Sequence, residues 1–258
     1  MLHSMPRLST RWTAIWIRNL RVWGKLAGPA IIGNFGEPLL MMVALGYGLG
    51  RMVGDIGGLP YMHFLASGLL CSSAMNTSSF EGLYSAYTRM TTQGTWDSML
   101  STPLSVTDIT IGETLWAGTK GLFSGIAILT VCYGFGIAEG WQPLLALPVI
   151  LLTGVCFGAL ALVVTSFAAS YDFFLYYFTL LVTPMYLLSG IFFPTSNMPE
   201  AVQVGAQFLP LSHAVVLVRP LVTGGEVPNA LPHLAVISAY AIVAILVASR
   251  LLRRRMLR

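Results

Sequence analysis

Hydrophobic residues run in six stretches along the chain, near residues 31 to 50, 60 to 80, 111 to 135, 143 to 168, 173 to 193 and 232 to 252. Each approaches the roughly 20 apolar residues that a helix needs to cross a hydrocarbon layer about 30 Å thick. The pattern predicts an all-α integral membrane protein with six transmembrane helices, organised as one unit over residues 1–258.

The segments between and before these stretches carry their own periodicities. Trp12, Ile15, Trp16, Leu20 and Trp23 recur at helical spacing, while Arg11, Arg18 and Lys25 recur every seven residues on another face. This predicts an interfacial helix over about 9–27, with tryptophan at the headgroup level and Ser9 or Thr10 as its cap. Residues 82–110 form the largest loop between stretches on the predicted cytoplasmic side. Within it Thr95 reads as an N-cap, Asp97 falls in the first turn, Trp96, Met99 and Leu100 take positions i, i+3 and i+4, and Pro103 is the stop. An apolar face on so short a helix needs a cover, from a partner, the lipid surface or the protein's own helix ends. Residues 194–231 divide at their prolines into two short helical pieces, the first from Pro199-Glu200 to before Pro210, the second capped by Ser212 and bent at Pro220. Neither piece has the length to cross, so an outer re-entrant hairpin before the sixth span is expected.

Composition supports a membrane setting: 55% of residues are hydrophobic and 9% charged. The basic pI of about 9.1 does not argue for nucleic acid, because the cations gather at the two ends of the chain rather than on one soluble face. With the N-terminus inside, 11 of the 14 Lys and Arg residues fall on the cytoplasmic side and only Arg51 and Arg219 in outer loops, with Lys120 in or near a span. The positive-inside rule therefore places both termini in the cytoplasm. Cys71, Cys132 and Cys156 all lie in predicted spans without CxxC spacing, which argues for packing rather than a disulfide framework or a metal site.

No GxxxxGK[ST] run is present, so ATP-driven work requires another chain. HExxH and GxSxG are missing too, and no catalytic or metal-ligating residue is expected. Four residues are candidates for a substrate path. Glu37, before Pro38, is the most conspicuous acid within a span. Asn76 sits in a second span rich in serine and threonine, a composition that serves helix packing or lines a polar route. Tyr177 and Tyr186 belong to an aromatic-rich fifth span that fits either an interfacial belt or faces for sugar rings.

Taken together, the interfacial helix, six spans, helix-bearing loop and outer hairpin resemble the permease subunit of a type-2 ABC exporter. More narrowly, Trp16-Ile17-Arg18-Asn19, Gly33-Asn34, Glu37-Pro38-Leu39, Gly46-Tyr47-Gly48-Leu49-Gly50, the run from Gln93 to Leu104, Gly112-Glu113 and Leu209-Pro210-Leu211-Ser212-His213 resemble the nodulation protein J family of lipo-oligosaccharide export permeases. The resemblance implies a homodimer in the bacterial cytoplasmic (inner) membrane, in contact with membrane lipid and paired with ATP-binding subunits that hold ATP and Mg. It implies that Trp96, Asp97, Met99 and Leu100 belong to a coupling helix received by the ATPase. A drug or antibiotic exporter differs only in cargo; a lipid-modifying membrane enzyme and a secondary transporter are the readings from other classes.

Overall fold

The computed structural model describes residues 10–25, 28, 36 and 39–257. Glu37, Ser9 and residues 31–35 and 38 of the first hydrophobic stretch lie outside the described residues.

Helix α1 (Trp12–Gly24) precedes α2 (Leu39–Val53), which contains a π turn over Met42–Tyr47. A two-residue hairpin pairs Asp55 with Pro60 and Ile56 with Leu59. Its turn is Gly57-Gly58, both at positive φ, 60° and 80°, where only glycine is at ease. Helix α3 (Tyr61–Phe80) continues through a π turn at Glu81–Ser85 into α4 (Ala86–Thr91). The loop helix α5 (Thr95–Leu100) follows, then α6 (Val106–Gly134), α7 (Ala146–Thr165), α8 (Phe173–Leu188), α9 (Glu200–Ala206), α10 (Pro210–Thr223) and α11 (Ala230–Met256).

Among the described residues, three helical segments are both long and apolar enough to cross a bilayer: α6, residues 142–165 ending in α7, and α11. A fourth is possible if α9 and α10, bent by 85° at their junction, count as one broken span. The protein is thus mostly helical with three to four candidate spans by this measure, fewer than the six hydrophobic stretches predict. Helix α3 is long enough, but polar because it is central. Ser67, Ser72, Ser73, Ser78 and Ser79 are all buried in it. Their hydroxyls bond within the bundle, as Ser78 Oγ does in donating to the Ala117 carbonyl at 2.9 Å. A helix packed mostly against protein can dispense with apolarity.

Close approach of α3, α6 and α7 is made by glycine. A Cβ on Gly154 would lie 3.0 Å from both the Cα and the carbonyl oxygen of Gly118. The small-residue spacings along α6 and α7 are therefore used within the chain. One end of the bundle gathers α1, α4, α5, the start of α6 and the ends of α7 and α11: Trp16 Nε1 donates to Thr119 Oγ1 at 2.9 Å, Tyr87 Oη to the Ala169 carbonyl at 2.8 Å, and Arg255 NH1 to the Thr165 and Ala168 carbonyls at 2.9 and 2.8 Å.

Local expectations are corrected at three helix starts. The cap position of α1 is Arg11, with no side-chain cap bond. Helix α5 is capped by Gly94 in the left-handed region at φ 58°, not by Thr95, because a chain reversing this sharply needs a residue without Cβ. Helix α10 starts from Leu209 with Pro210 in its first turn, and the Ser212 hydroxyl, already inside the helix, caps nothing. On the tryptophan face of α1, Trp23 stacks on Phe123 at 4.8 Å and meets Trp116 edge-on at 6.3 Å, so this part of the face packs on α6.

Candidate functional site

Two hollows join into one groove. The deeper, about 280 Å³, is walled by Ser72, Ser73, Asn76 and Thr77 of α3 and by Ser124 of α6, with Met41 and Tyr186 at its sides. The other, about 430 Å³, runs past Arg18, Asn19 and Trp23 of α1, Thr88 and Arg89 of α4, and Trp116. Glu81, Tyr84, Ser85 and Lys120 line both. Ser124 lies roughly 27 Å along α6 from its first residue, at 1.5 Å per residue, so the groove reaches well into the bundle.

Glu81, Ser85 and Arg89 stand at i, i+4 and i+8 and so share one side of the α3–α4 rod, and the π turn Glu81–Ser85 lies on that stretch. On α6, Glu113, Trp116 and Lys120 likewise stand at i, i+3 and i+7.

A charged core underlies the groove. Arg89 lies between two acids: its NH2 reaches Glu81 Oε1 at 2.8 Å and Glu113 Oε2 at 2.5 Å, and its Nε donates to Glu113 Oε1 at 3.0 Å. Lys120 Nζ approaches Glu81 Oε2 at 3.2 Å. Two cations thus balance two carboxylates that are 5% and 1% exposed, which is the condition for burying charge at a tolerable cost. The remaining acceptor capacity is also used. Trp116 Nε1 donates to Glu81 at 2.9 Å, while Asn19 Nδ2 and Trp96 Nε1 each donate to Glu113 at 3.2 Å. One cluster therefore ties α1, α3, α4, α5 and α6 together. Near its edge, burial and then the Arg89 charge lower the Arg18 pKa from its ordinary value, with Glu113 working against them.

The sequence-derived candidates divide on this geometry. Asn76 and Tyr186 share the deep hollow. Tyr177 does not: it is buried, with its hydroxyl 3.2 Å from Ser79 Oγ, and acts in packing. The aromatic wall of the groove is Phe80 and Tyr84 instead, backed by Phe178 at 4.6 Å from Phe80 and Phe174 at 5.0 Å from Tyr84. Trp96 is 1% exposed. Met99 and Leu100 pack partly buried against the same core, so the apolar face of α5 is covered by the chain itself. Exposed on α5 and just after it are Asp97, Ser98, Ser101 and Thr102. Glu81, Arg89 and Lys120 had no place among the candidates; the stripe from Glu113 to Lys120 was their legible signal.

A helical bundle with a polar groove and a loop helix seated on its charged core has an architecture suited to a transport permease. The profile of the ABC-2 type transporter family matches residues 10–222, and the chain belongs to that family. It is the membrane permease of an ABC exporter, a transport subunit and not an enzyme. It is 43% identical over 255 residues to nodulation protein J of Rhizobium leguminosarum bv. trifolii, covering 99% of this chain and 97% of the relative. Nodulation protein J of Rhizobium meliloti (strain 1021) is 40% identical over 254 residues, 98% of this chain and 97% of its own. The inner membrane transport permease YadH of Escherichia coli (strain K12) is more distant, 24% identical over 192 residues, 74% of this chain and 73% of its own.

Proposed function

We propose that this permease exports a lipo-oligosaccharide or another amphiphilic glycolipid across the bacterial cytoplasmic membrane, driven by ATP bound with Mg on a separate subunit. The observation that carries the reading is the groove. The residues Ser72, Ser73, Asn76, Thr77, Ser85 and Ser124, with Phe80, Tyr84 and Tyr186, line two hollows that share Glu81, Tyr84, Ser85 and Lys120. Sugars present hydroxyls at their edges and apolar faces between them, and both find partners there. An acyl chain fits the flank between α2 and α8, where Leu40, Val43 and Leu180 are exposed. A second copy of the chain on that flank would close the groove, which favours a homodimer. Six crossings with both termini inside fit the clustering of Arg18, Arg89, Arg253 and Arg254 toward one end of the bundle.

The test is reconstitution with the ATP-binding subunit in vesicles and measurement of outward movement of a fluorescent glycolipid. Wild type should transport, and Lys120→Met or Asn76→Leu should lower transport roughly tenfold, the order expected from losing one hydrogen bond to a charged or buried polar group. Unchanged transport in both variants would detach the groove from the cargo.

The same reading assigns contact with the ATP-binding subunit to the polar outer face of α5, with Trp96, Met99 and Leu100 anchoring the helix from beneath. Asp97→Lys should leave thermal stability within about 0.5 kcal/mol, as exposed substitutions do, while weakening co-purification with the ATP-binding subunit. Trp96→Ala should instead lower stability by about 3–5 kcal/mol, the range for emptying a large aromatic site. A stable Trp96→Ala variant that has lost only its partner would reverse this assignment of faces.

A further inference from the structure

A second polar hollow lies away from the transport groove, where the end of α11 meets the start of α6. It encloses about 480 Å³ and is lined by Thr107, Leu246, Ser249, Arg250, Arg253, Arg254 and Leu257. On α11, Leu246, Arg250 and Arg253 stand at i, i+4 and i+7, so one helix face carries the leucine and two of the guanidinium groups, with Leu257 just past the helix end. Arg250, Arg253 and Arg254 are exposed, whereas Arg255, the next cation, is already committed to the Thr165 and Ala168 carbonyls. Ser249 is 7% exposed. The residue lines this hollow, and its buried hydroxyl has no hydrogen-bond partner. A buried hydroxyl is rarely left unpaired, so this one marks a position awaiting an acceptor. The nearby Asp108 carboxylate is turned to the amide and hydroxyl of Ser105, which it accepts from at 2.9 and 2.6 Å.

We infer that this hollow binds the phosphate headgroup of an anionic phospholipid. Three cations, the Thr107 hydroxyl and the unpaired Ser249 hydroxyl match phosphate oxygens, which accept from both kinds of donor. The acyl chain has its own track. Leu246 lies about 6 Å deeper along α11 than Arg250, at 1.5 Å per residue, and Ile242 and Val243 continue the exposed apolar surface at 58% and 59%. A free anion has no use for that track. The acidic surface of a protein partner could not follow it into the hydrocarbon. Basic hollows between helices at a membrane surface are sites of this type. The inference requires that α11 spans the membrane, and holds in either orientation of the chain and for any cargo.

Purified full-length permease in neutral detergent, titrated with dioleoyl phosphatidylglycerol or dioleoyl phosphatidylcholine and read by native mass spectrometry, tests it. The glycerol lipid should bind at least tenfold tighter than the choline lipid. Arg250→Gln with Arg253→Gln should cost about fivefold in affinity for each guanidinium removed. Arg21→Gln with Lys25→Gln, an equal loss of charge on α1, should leave affinity within twofold. Ser249→Ala keeps the charge, adds no bulk and should weaken phosphatidylglycerol alone; it carries the test if the arginine pair fails to fold. Equal affinity for the two lipids, or equal loss in the α1 control, would overturn the site. Displacement of the lipid by inorganic phosphate at the same concentration as by soluble lipid would reassign it to a free anion. Retained lipid binding with lost co-purification of the ATP-binding subunit would reassign it to a protein contact.

Discussion

Replacing Arg89 by leucine is expected to cost about 3–5 kcal/mol and to leave little folded permease in the membrane, the scale for removing one partner from a buried ion pair. The reason lies in the balance of the cluster. Glu81 and Glu113 are buried on either side of the guanidinium, and Lys120 reaches only Glu81. Without Arg89, Glu113 keeps the neutral donors Asn19 and Trp96 but has no cation at contact. Because these donors come from α1 and α5, the loss spreads to both elements. A second substitution separates charge balance from packing. Gln at position 113 carries no charge and keeps one acceptor oxygen, enough for Asn19 or Trp96 but not for both, which donate to different oxygens of Glu113; Arg89→Leu with Glu113→Gln should therefore recover part of the loss. The measurement is the fraction of monodisperse protein surviving a heating series, for both single variants and the double. Simple addition of the two losses would mean that the charges do not compensate each other, and a stable Arg89→Leu variant would mean that the cluster is incidental.

What the sequence could show follows from what lipid demands. Helices that face hydrocarbon on one side must be apolar there, so α6, α7 and α11 were legible from hydropathy. Helix α3 was legible only as an interrupted stretch, because its serines answer to neighbours that no local pattern reveals. The same limit hid the charged core. Glu81 and Arg89 stand at i and i+8 and share one side of the rod, but no local pattern says that this side meets Glu113 and Lys120. Glu113 was visible in a motif, yet its partners stand 94, 24 and 17 residues away. Trp96 shows the opposite error: its helical spacing with Met99 and Leu100 was correctly apolar, but periodicity says that a face is covered and not by what. The fifth-span tyrosines divide for the same reason, Tyr186 reaching the groove and Tyr177 the core.

Gly154→Val is expected to be the most damaging change outside the charged core, because it pushes backbone against backbone. At this point Gly154 of α7 faces Gly118 of α6, and even a methyl group would stand 3.0 Å from the Gly118 Cα and carbonyl oxygen and 2.8 Å from Ser78 Oγ. A flexible side chain could swing aside; a helix backbone cannot. Valine adds two further methyl groups, so α6 and α7 must separate. Ser78 then loses its short reach to the Ala117 carbonyl, now 2.9 Å, and the wedge spreads to α3. Overpacking a close-packed interior costs about 1–3 kcal/mol, and the upper end or beyond is expected where neither side can yield. Gly205→Ala in α9 is the matched control, since its added methyl group meets nothing within 4 Å and replaces a poor helix former with a good one. Thermal unfolding of the detergent-purified variants should show a large drop for Gly154→Val and none for Gly205→Ala. Equal midpoints would mean that α6 and α7 are not held at glycine distance, and the groove between α3 and α6, which depends on that spacing, would have to be redrawn.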